Sequence, residues 1–456
     1  MNGTTTDSQG KGVAPTSVEA CAVDPRDEVD VSGQLAVHVS VVIPAHNAAE
    51  TIAETLESLV GQTHEAWEAI MVDDGSTDAT AVIAQEFTAR DHRIRLLKQR
   101  QAGEAGARNA GLDDAKHDWV LFLDADDWIA SRHLERLTAE VAANPALDAV
   151  HCGSARVALD GTVTVERFEP PTGDIFHVLA RRAAFPVHAC LVRRSLVEAV
   201  GRFDTSLRKS ADWDLWQRIA RTGAQFGAVR EVLAFYRTRP NAASLEAVPL
   251  FEDGMRVLQQ GHSPDPRVPN PHPLHAQGEP PELVRTQEFY LLCWCAGLML
   301  GNGQDARSLF ALVHGDDYPE LHPEAVARCI FDAAPLPTGQ PPAAWETMWP
   351  RLDWRIQELL VALERQTRAP HVAARATDEL KRLILRHSPM WHAIVIEFED
   401  AAKRDAARAE ELQHRLERLE SLAQVLARQI RKLESSFWMR VGKRLGFVGA
   451  RSRDSN

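Results

Sequence analysis

The sequence predicts an α/β unit over residues 37–240, built on a mostly parallel central sheet, followed by an all-helical region. Three observations predict it. Short β-rich runs alternate with helix-length segments from Val37 to about Val150, two of the apolar strands end abruptly in carboxylates, and residues 282–400 read as helix throughout.

The elements follow in order. His38–Ile43 is a β-rich run, and Ala49–Val60 carries apolar residues at helical spacing. Trp67–Val72 reads as a strand and Asp78–Ala89 as a helix, with Asp78 a good N-cap. Arg93–Lys98 is a strand, Glu104–Asp113 a helix, Trp119–Leu123 a strand and Ser131–Ala142 a helix. Parallel sheets of this kind bind ligands at the carboxyl ends of their strands, which puts the chemistry just after Ile43, Val72 and Leu123. Beyond Val150 the pattern changes. Val157–Leu159 and Val163–Phe168 flank Asp160-Gly161, a hairpin signal. His188–Val192 and Val229–Tyr236 read as strands around a helix at Ala211–Ala220.

Residues 241–281, rich in Pro, His and Asn, read as a linker. Over 401–437 a heptad runs through Ala409, Leu412, Leu416, Leu419, Ala423, Leu426, Ile430, Leu433 and Phe437. This is the pattern of a short coiled coil and a homo-oligomer contact, or of one amphipathic helix packed on its own domain. The tail 438–456 combines Trp438 and Met439 with Arg440, Lys443 and Arg444, which suits either a membrane surface or plain solvation.

A chain of 456 residues implies two or three structural units. The net charge of -13, without a long Lys/Arg block, excludes nucleic acid as the main partner. Cys21, Cys152, Cys190, Cys293, Cys295 and Cys329 are scattered, as free thiols in a reducing cytosol are. Cys293 and Cys295 read as buried helix positions rather than metal ligands. Residues 1–36 read as a disordered tail lacking a secretory apolar core. Phe289–Leu300, the longest apolar run, falls short of the roughly 20 residues a membrane span needs. The expectation is a cytoplasmic protein with at most peripheral contact at the inner face of the membrane.

The chemistry-bearing signals are acidic. Trp67–Val72 runs into Asp73-Asp74-Gly75-Ser76, where a carboxylate can accept hydrogen bonds from a base or ribose and Gly75 permits a tight turn. A ligand-free strand-to-helix turn explains this stretch alone equally well. Trp119–Leu123 runs into Asp124-Ala125-Asp126-Asp127. Three carboxylates at one strand end repel one another unless a cation is present. A divalent ion held by one or two of them together with diphosphate oxygens fits, and would neutralise charge on a leaving diphosphate. The bland alternative is an acidic turn with Asp127 near a helix start.

Taken together, Val39-Ser40-Val41-Val42-Ile43-Pro44-Ala45-His46-Asn47, Asp73-Asp74-Gly75-Ser76, Gly103-Glu104-Ala105-Gly106-Ala107-Arg108-Asn109-Ala110-Gly111 and Asp124-Ala125-Asp126 resemble family 2 glycosyltransferases with the GT-A nucleotide-sugar-binding fold. The resemblance covers about 200 residues and rests on the ordered combination. It implies an inverting, hexosyltransferase-like transfer of a sugar from a nucleotide-diphosphate donor, UDP foremost, in polysaccharide or glycoconjugate synthesis. The acceptor would be a glycan, lipid-linked or protein hydroxyl, and the cofactor Mn2+ or Mg2+. It implies donor contacts at Pro44, His46, Asn47, Asp73, Asp74, Gly75, Ser76, Arg108, Asn109, Asp124, Ala125 and Asp126. The metal would sit at Asp126, assisted by Asp124 or Asp127. The rival reading of Arg108 is a side chain snorkelling to solvent.

Lys209-Ser210-Ala211-Asp212-Trp213-Asp214 resembles the family's base-bearing segment, with Ala211 where an acid is usual. The resemblance implies Asp212 as general base, with Asp214 competing and helix capping the plain alternative. His188, Trp213 and Arg237 are expected on the acceptor or lid side, His188 with the rival reading of a satisfied core histidine. Two other classes compete. A nucleotidyltransferase would need a Gly-rich phosphate loop, which Pro44-Ala45-His46-Asn47 does not offer. A catalytically silent scaffold would not need intact Asp74, Asp126, Asp127 and Asp212.

Overall fold

The computed structural model describes residues 37–158, 161–167, 171–239, 245–313, 321–367, 369–388 and 412–426. The chain begins with β1 (Val39–Ala45), α1 (Ile52–Val60), β2 (Trp67–Asp73), α2 (Thr80–Arg90), β3 (Ile94–Lys98), α3 (Glu104–Asp114) and β4 (Trp119–Phe122). β1 and β2 are buried along their whole length, as strands covered by helices on both faces must be. α1 buries Ile52, Thr55, Leu56 and Leu59 on one stripe. The N-cap of α2 is Ala79 and not Asp78, which stands one residue earlier and accepts the Thr80 amide at 2.9 Å.

Next come β5 (Trp128–Ile129), α4 (His133–Ala143), β6 (Ala149–Ala158), β7 (Val163–Arg167), α5 (Phe176–Leu179), β8 (Cys190–Arg193), α6 (Arg194–Ala199), α7 (Ala211–Arg221) and β9 (Phe226–Thr238). One sheet holds all nine strands in the order β3-β2-β1-β4-β8-β6-β9-β5, with β7 on β6. The first four strands are mutually parallel. Beyond them the sheet is mixed. β8 runs antiparallel to both β4 and β6, β9 is parallel to β6, and β5 is antiparallel to β9. The β6–β7 hairpin pairs as its Asp-Gly signal requires. Because β2 and β3 extend one way from β1 while β4 lies on the other side, the order reverses between β1 and β4. A crevice opens at such a switch point, at the carboxyl ends of the strands.

The helical region comprises α8 (Ala247–Gly261), α9 (Val284–Gly301), α10 (Pro323–Ala333), α11 (Trp345–Thr367) and α12 (Val372–Arg386). The linker expected at 241–281 is corrected here, since α8 lies within it. Its face of Ala247, Phe251, Gly254, Leu258 and Gly261 keeps helical spacing, masked in the sequence because Ala and Gly supply three of the five. α8 also joins two cores. Val257 and Leu258 belong to the core under the sheet, whereas Phe251 belongs to that of the helices. The segment after α8 is pinned rather than free: the His272 amide donates to Arg221 O at 2.9 Å, and Arg221 Nη1 to His275 O at 2.8 Å.

Cys293 and Cys295 are buried free thiols of α9, as expected. Of the heptad, residues 412–426 form a helix that buries Leu412 and exposes Leu422 and Leu426. The remainder of 401–437, the N-terminal 1–36 and the tail 438–456 lie outside the described residues. Among the described residues no helix is long and apolar enough to cross a membrane.

Candidate active site

Two acidic turns face the crevice. In the first, Asp73 Oδ1 accepts the Ser76 amide at 3.0 Å, a reversal made around Gly75 at φ +74°. A Cβ at Gly75 would meet Gln101 N at 3.1 Å. Asp74 is buried, and its carboxylate accepts Gln99 Nε2 at 2.7 Å and the amides of Ala102 and Gly103 at 2.8 Å each. It thereby fastens the segment leading into α3. The turn after Pro44 locks against this one. His46 Nδ1 lies 2.9 Å from Asp74 O, Asn47 Oδ1 accepts the Thr77 amide at 2.8 Å, and the Asn47 amide donates to Ser76 Oγ at 3.0 Å. Pro44, His46, Asn47, Asp73, Asp74, Gly75 and Ser76 are thus brought together, largely occupied with one another.

The second turn follows β4. Thr51 and Thr55 of α1 donate their hydroxyls to Ala125 O at 2.9 and 3.0 Å, and Thr55 also to Asp127 O at 2.8 Å. Holding the turn by its carbonyls leaves its carboxylates to point elsewhere. Asp124 Oδ1 accepts from Arg108 at 2.6 Å. Asp126 pairs with Arg239. Asp127, 1% exposed, accepts the Arg237 amide at 2.8 Å through Oδ1. Its Oδ2 lies 3.1 Å from Nδ1 of the fully buried His188, yet neither atom has a hydrogen-bond partner. Burial raises Asp126 above its ordinary value, with Asp124 adding to this and Arg239 opposing it. Burial, then Asp126 and Asp124, raise Asp127 well above the carboxylate range. Burial lowers His188 to about 4. Both shifts favour neutral forms, so the 3.1 Å approach is no ordinary ion pair.

Asp124, Asp127 and His188 each offer one ligand atom within 4.8 Å of the others. Two buried, unbonded donor atoms about 3 Å apart suit adjacent positions around a divalent cation with bonds near 2.1 Å. The donor set fits a metal. It differs from the one expected, in which Asp126 leads and His188 sits with the acceptor.

Arg108 is buried and bridges Asp124 to Glu104, with Phe203 beneath its guanidinium at 5.1 Å. The snorkelling alternative is thereby excluded. Its neighbour Asn109 clamps the backbone of Phe203, at 2.9 Å through Nδ2 and 3.0 Å through Oδ1. That clamp draws the segment before α7 towards α3. Glu104 stands in the first turn of α3, its side chain partly exposed. Arg108 favours its ionised form, but desolvation and the field of Asp124, Asp212 and Asp126 outweigh this and raise it to about 7.

At the start of α7 the two competing acids separate. Asp214 is fully buried and held by Arg218 at 2.6 Å and Arg267 at 2.8 Å. Asp212 has no such partner among the described residues. Its Oδ1 accepts the Trp213 amide at 2.7 Å, and desolvation raises it above its ordinary value, with Arg108 opposing. Trp213, expected near the acceptor, instead buries its ring and donates Nε1 to Leu179 O at 2.6 Å. Arg237 does reach the crevice, donating Nε to Asp126 O at 2.8 Å and Nη2 to Glu54 at 2.6 Å.

Sequence reasoning missed Arg239, Glu104 as a titrating group, and the unbonded edge of His188. β9 is the reason for the first. Its pairing of Phe235 with Trp128 carries Arg237 and Arg239 across the acidic turn from more than a hundred residues away.

The fold and cleft define an α/β protein with a carboxylate-lined crevice at a topological switch point. Residues 40–201 match the family described as Glycosyl transferase family 2. The chain is 32% identical over 225 residues to the uncharacterized glycosyltransferase EpsJ of Bacillus subtilis, a match covering 46% of this chain and 63% of that one. It is 30% identical to the putative teichuronic acid biosynthesis glycosyltransferase TuaG of the same organism, covering 45% of this chain and 81% of that one. The chain belongs to glycosyl transferase family 2. The match to EpsJ spans less than two thirds of that relative's length. Among solved structures, residues 1–349 of S. aureus TarS in complex with UDP-GlcNAc share 16% identity at a TM-score of 0.43, over 77% of this chain and 91% of that one.

Proposed function

We propose that this chain is an inverting, metal-dependent glycosyltransferase that moves a sugar from a nucleotide-diphosphate donor to a hydroxyl acceptor in cell-surface polysaccharide or glycoconjugate synthesis. The observation that carries the reading is the gathering of Glu104, Asp124 and Asp212 about Arg108, which bridges the first two and opposes the burial-driven rise of the third. Asp212, with no ion-pair contact among the described residues and made more basic by burial, takes the proton of the acceptor hydroxyl as that oxygen attacks the anomeric carbon. The bond to the diphosphate oxygen breaks in the same displacement, which inverts the centre. The His46–Asn47 and Asp73–Ser76 turns line the nucleoside end. Asp124, Asp127 and His188 would hold a divalent ion, Mn2+ or Mg2+, whose chemistry would be to neutralise charge on a departing diphosphate.

TuaG and EpsJ, named as glycosyltransferases, support the class, and TuaG's putative teichuronic acid role supports a polysaccharide setting. A UDP-sugar, which the family resemblance of the sequence puts foremost, is the donor to try first. A lipid-linked, glycan or protein acceptor at the cytoplasmic face of the membrane, and self-association through 401–437, complete the reading. The test is turnover on a panel of nucleotide sugars, with Mn2+ or with chelator, scored by nucleoside diphosphate release. Metal-dependent release from at least one donor, abolished in Asp212→Asn, is expected. Release that is indifferent to both chelator and Asp212→Asn would overturn the mechanism.

A further inference from the structure

The three carboxylates of the second turn do not have equivalent counter-ions. Arg108 is 4% exposed, grips Asp124 and Glu104 together, and is backed by Phe203. Arg237 is fixed by its amide on Asp127, its Nε on Asp126 O, its Nη2 on Glu54 and its stacking on Trp128 at 4.6 Å. Arg239 is different. It lies one residue past the end of β9, its side chain is 34% exposed, and among the described residues its one ion-pair partner is Asp126. Asp126, also 34% exposed, has no other ion-pair partner among the described residues. A guanidinium therefore occupies the carboxylate that the sequence motif nominates for a metal, and occupies it by a single contact at the open edge of the cleft.

From this we propose that Arg239 is an exchangeable counter-ion of Asp126. It pairs with the carboxylate until a donor enters and then passes to the diphosphate, leaving the charge of Asp126 free to reinforce the cation site beside it at Asp124, Asp127 and His188. A guanidinium is always charged, and its planar fork matches phosphate oxygens as well as a carboxylate. A diphosphate carries more charge than one carboxylate, so transfer of the fork is downhill once the anion arrives. The arrangement makes cation binding and diphosphate binding mutually supportive. Either one alone works against the Arg239–Asp126 contact.

This inference rests on the proposed donor chemistry, but its test needs no sugar transfer. Mn2+ alone is titrated into the full chain and free Mn2+ is read by electron paramagnetic resonance. Arg239→Gln is expected to bind Mn2+ about tenfold more tightly than the unaltered chain, the scale of one partly screened charge contact. Arg239→Lys, which keeps the charge, is expected to stay near the unaltered value, and adding Asp126→Asn to Arg239→Gln is expected to erase the gain. Inorganic pyrophosphate, titrated without metal by calorimetry, is expected to bind Arg239→Gln about tenfold more weakly. An unchanged Mn2+ affinity in Arg239→Gln, an equal gain in Arg239→Lys, a gain that survives Asp126→Asn, or pyrophosphate binding indifferent to Arg239 would each overturn the proposal. Failure of every nucleotide sugar to turn over would sink the enzymatic reading while leaving these titrations intact.

Discussion

The two acidic turns look alike in the sequence and behave as opposites in the fold. Asp74 is buried with its charge answered by one side-chain and two backbone donors, all within the same corner of the protein. Asp127 is as deeply buried, yet one of its oxygens faces an unbonded imidazole nitrogen while two further carboxylates stand nearby. The first turn is complete without a ligand, and its carboxylate stabilises the folded chain. The second is not complete, and the protein spends stability to keep it so. Clustered acids after a strand thus indicate a site only when their hydrogen bonds are left unmade.

The largest expected effect tests the base that shares the second turn's cleft. Asp212→Asn should lower kcat by about 10^2 to 10^4 with the fold intact, measured by donor turnover and circular dichroism. Asp214→Asn should do the reverse. It leaves the buried Arg218 without its anion, though Arg267 keeps Asp204 and Asp265, at a cost of about 3 kcal/mol in denaturant unfolding, while the folded fraction keeps its kcat.

Next in size is the direct contrast between the turns, read as thermal and denaturant stability without metal. Asp74→Ala should destabilise by about 2 kcal/mol or more, since it strands two amides that a charged acceptor had satisfied. Asp127→Asn should stabilise at neutral pH by about 1 kcal/mol. The sign follows from linkage. A carboxyl raised in the folded state is easier to keep protonated there, so ionisation penalises the fold as pH rises towards the folded value. The gain in Asp127→Asn should therefore fade as pH falls below the ordinary carboxylate range. A uniform gain at all pH values would mean that packing, not charge, sets the difference.

The smallest effect is a displacement of the pH profile. A base at Asp212, as proposed, would act only when ionised, and desolvation raises it, so the acid limb of kcat/KM should lie above the ordinary carboxylate value. An acid limb at or below that value would place the base elsewhere.

Much of this was legible beforehand. Local periodicity located β1 to β4 and their helices, because parallel strands and amphipathic helices write their burial into neighbouring residues. The acidic turns were legible because carboxylates seldom follow a buried strand without cause. The choice between Asp212 and Asp214 was half legible, as Arg218 stands four residues after Asp214 on the same helix face. Arg239 on Asp126 was not legible. The two are brought together only by the pairing of β9 with β5, and no spacing records it. Nor was the role of His188 legible, since an unbonded ring nitrogen is a property of surroundings. α8 was hidden by its small residues and by the prolines after it.

The most direct test of the central claim, that the second turn and Asp212 form one metal-assisted transfer site, is nucleoside diphosphate release from a responsive nucleotide sugar. It should be measured with Mn2+ in the unaltered chain, in Asp127→Asn and in His188→Ala. The account predicts that both variants fold, lose about 100-fold or more in Mn2+-supported turnover, and regain part of it at higher Mn2+ concentration. Full turnover in both variants at limiting Mn2+ would contradict it.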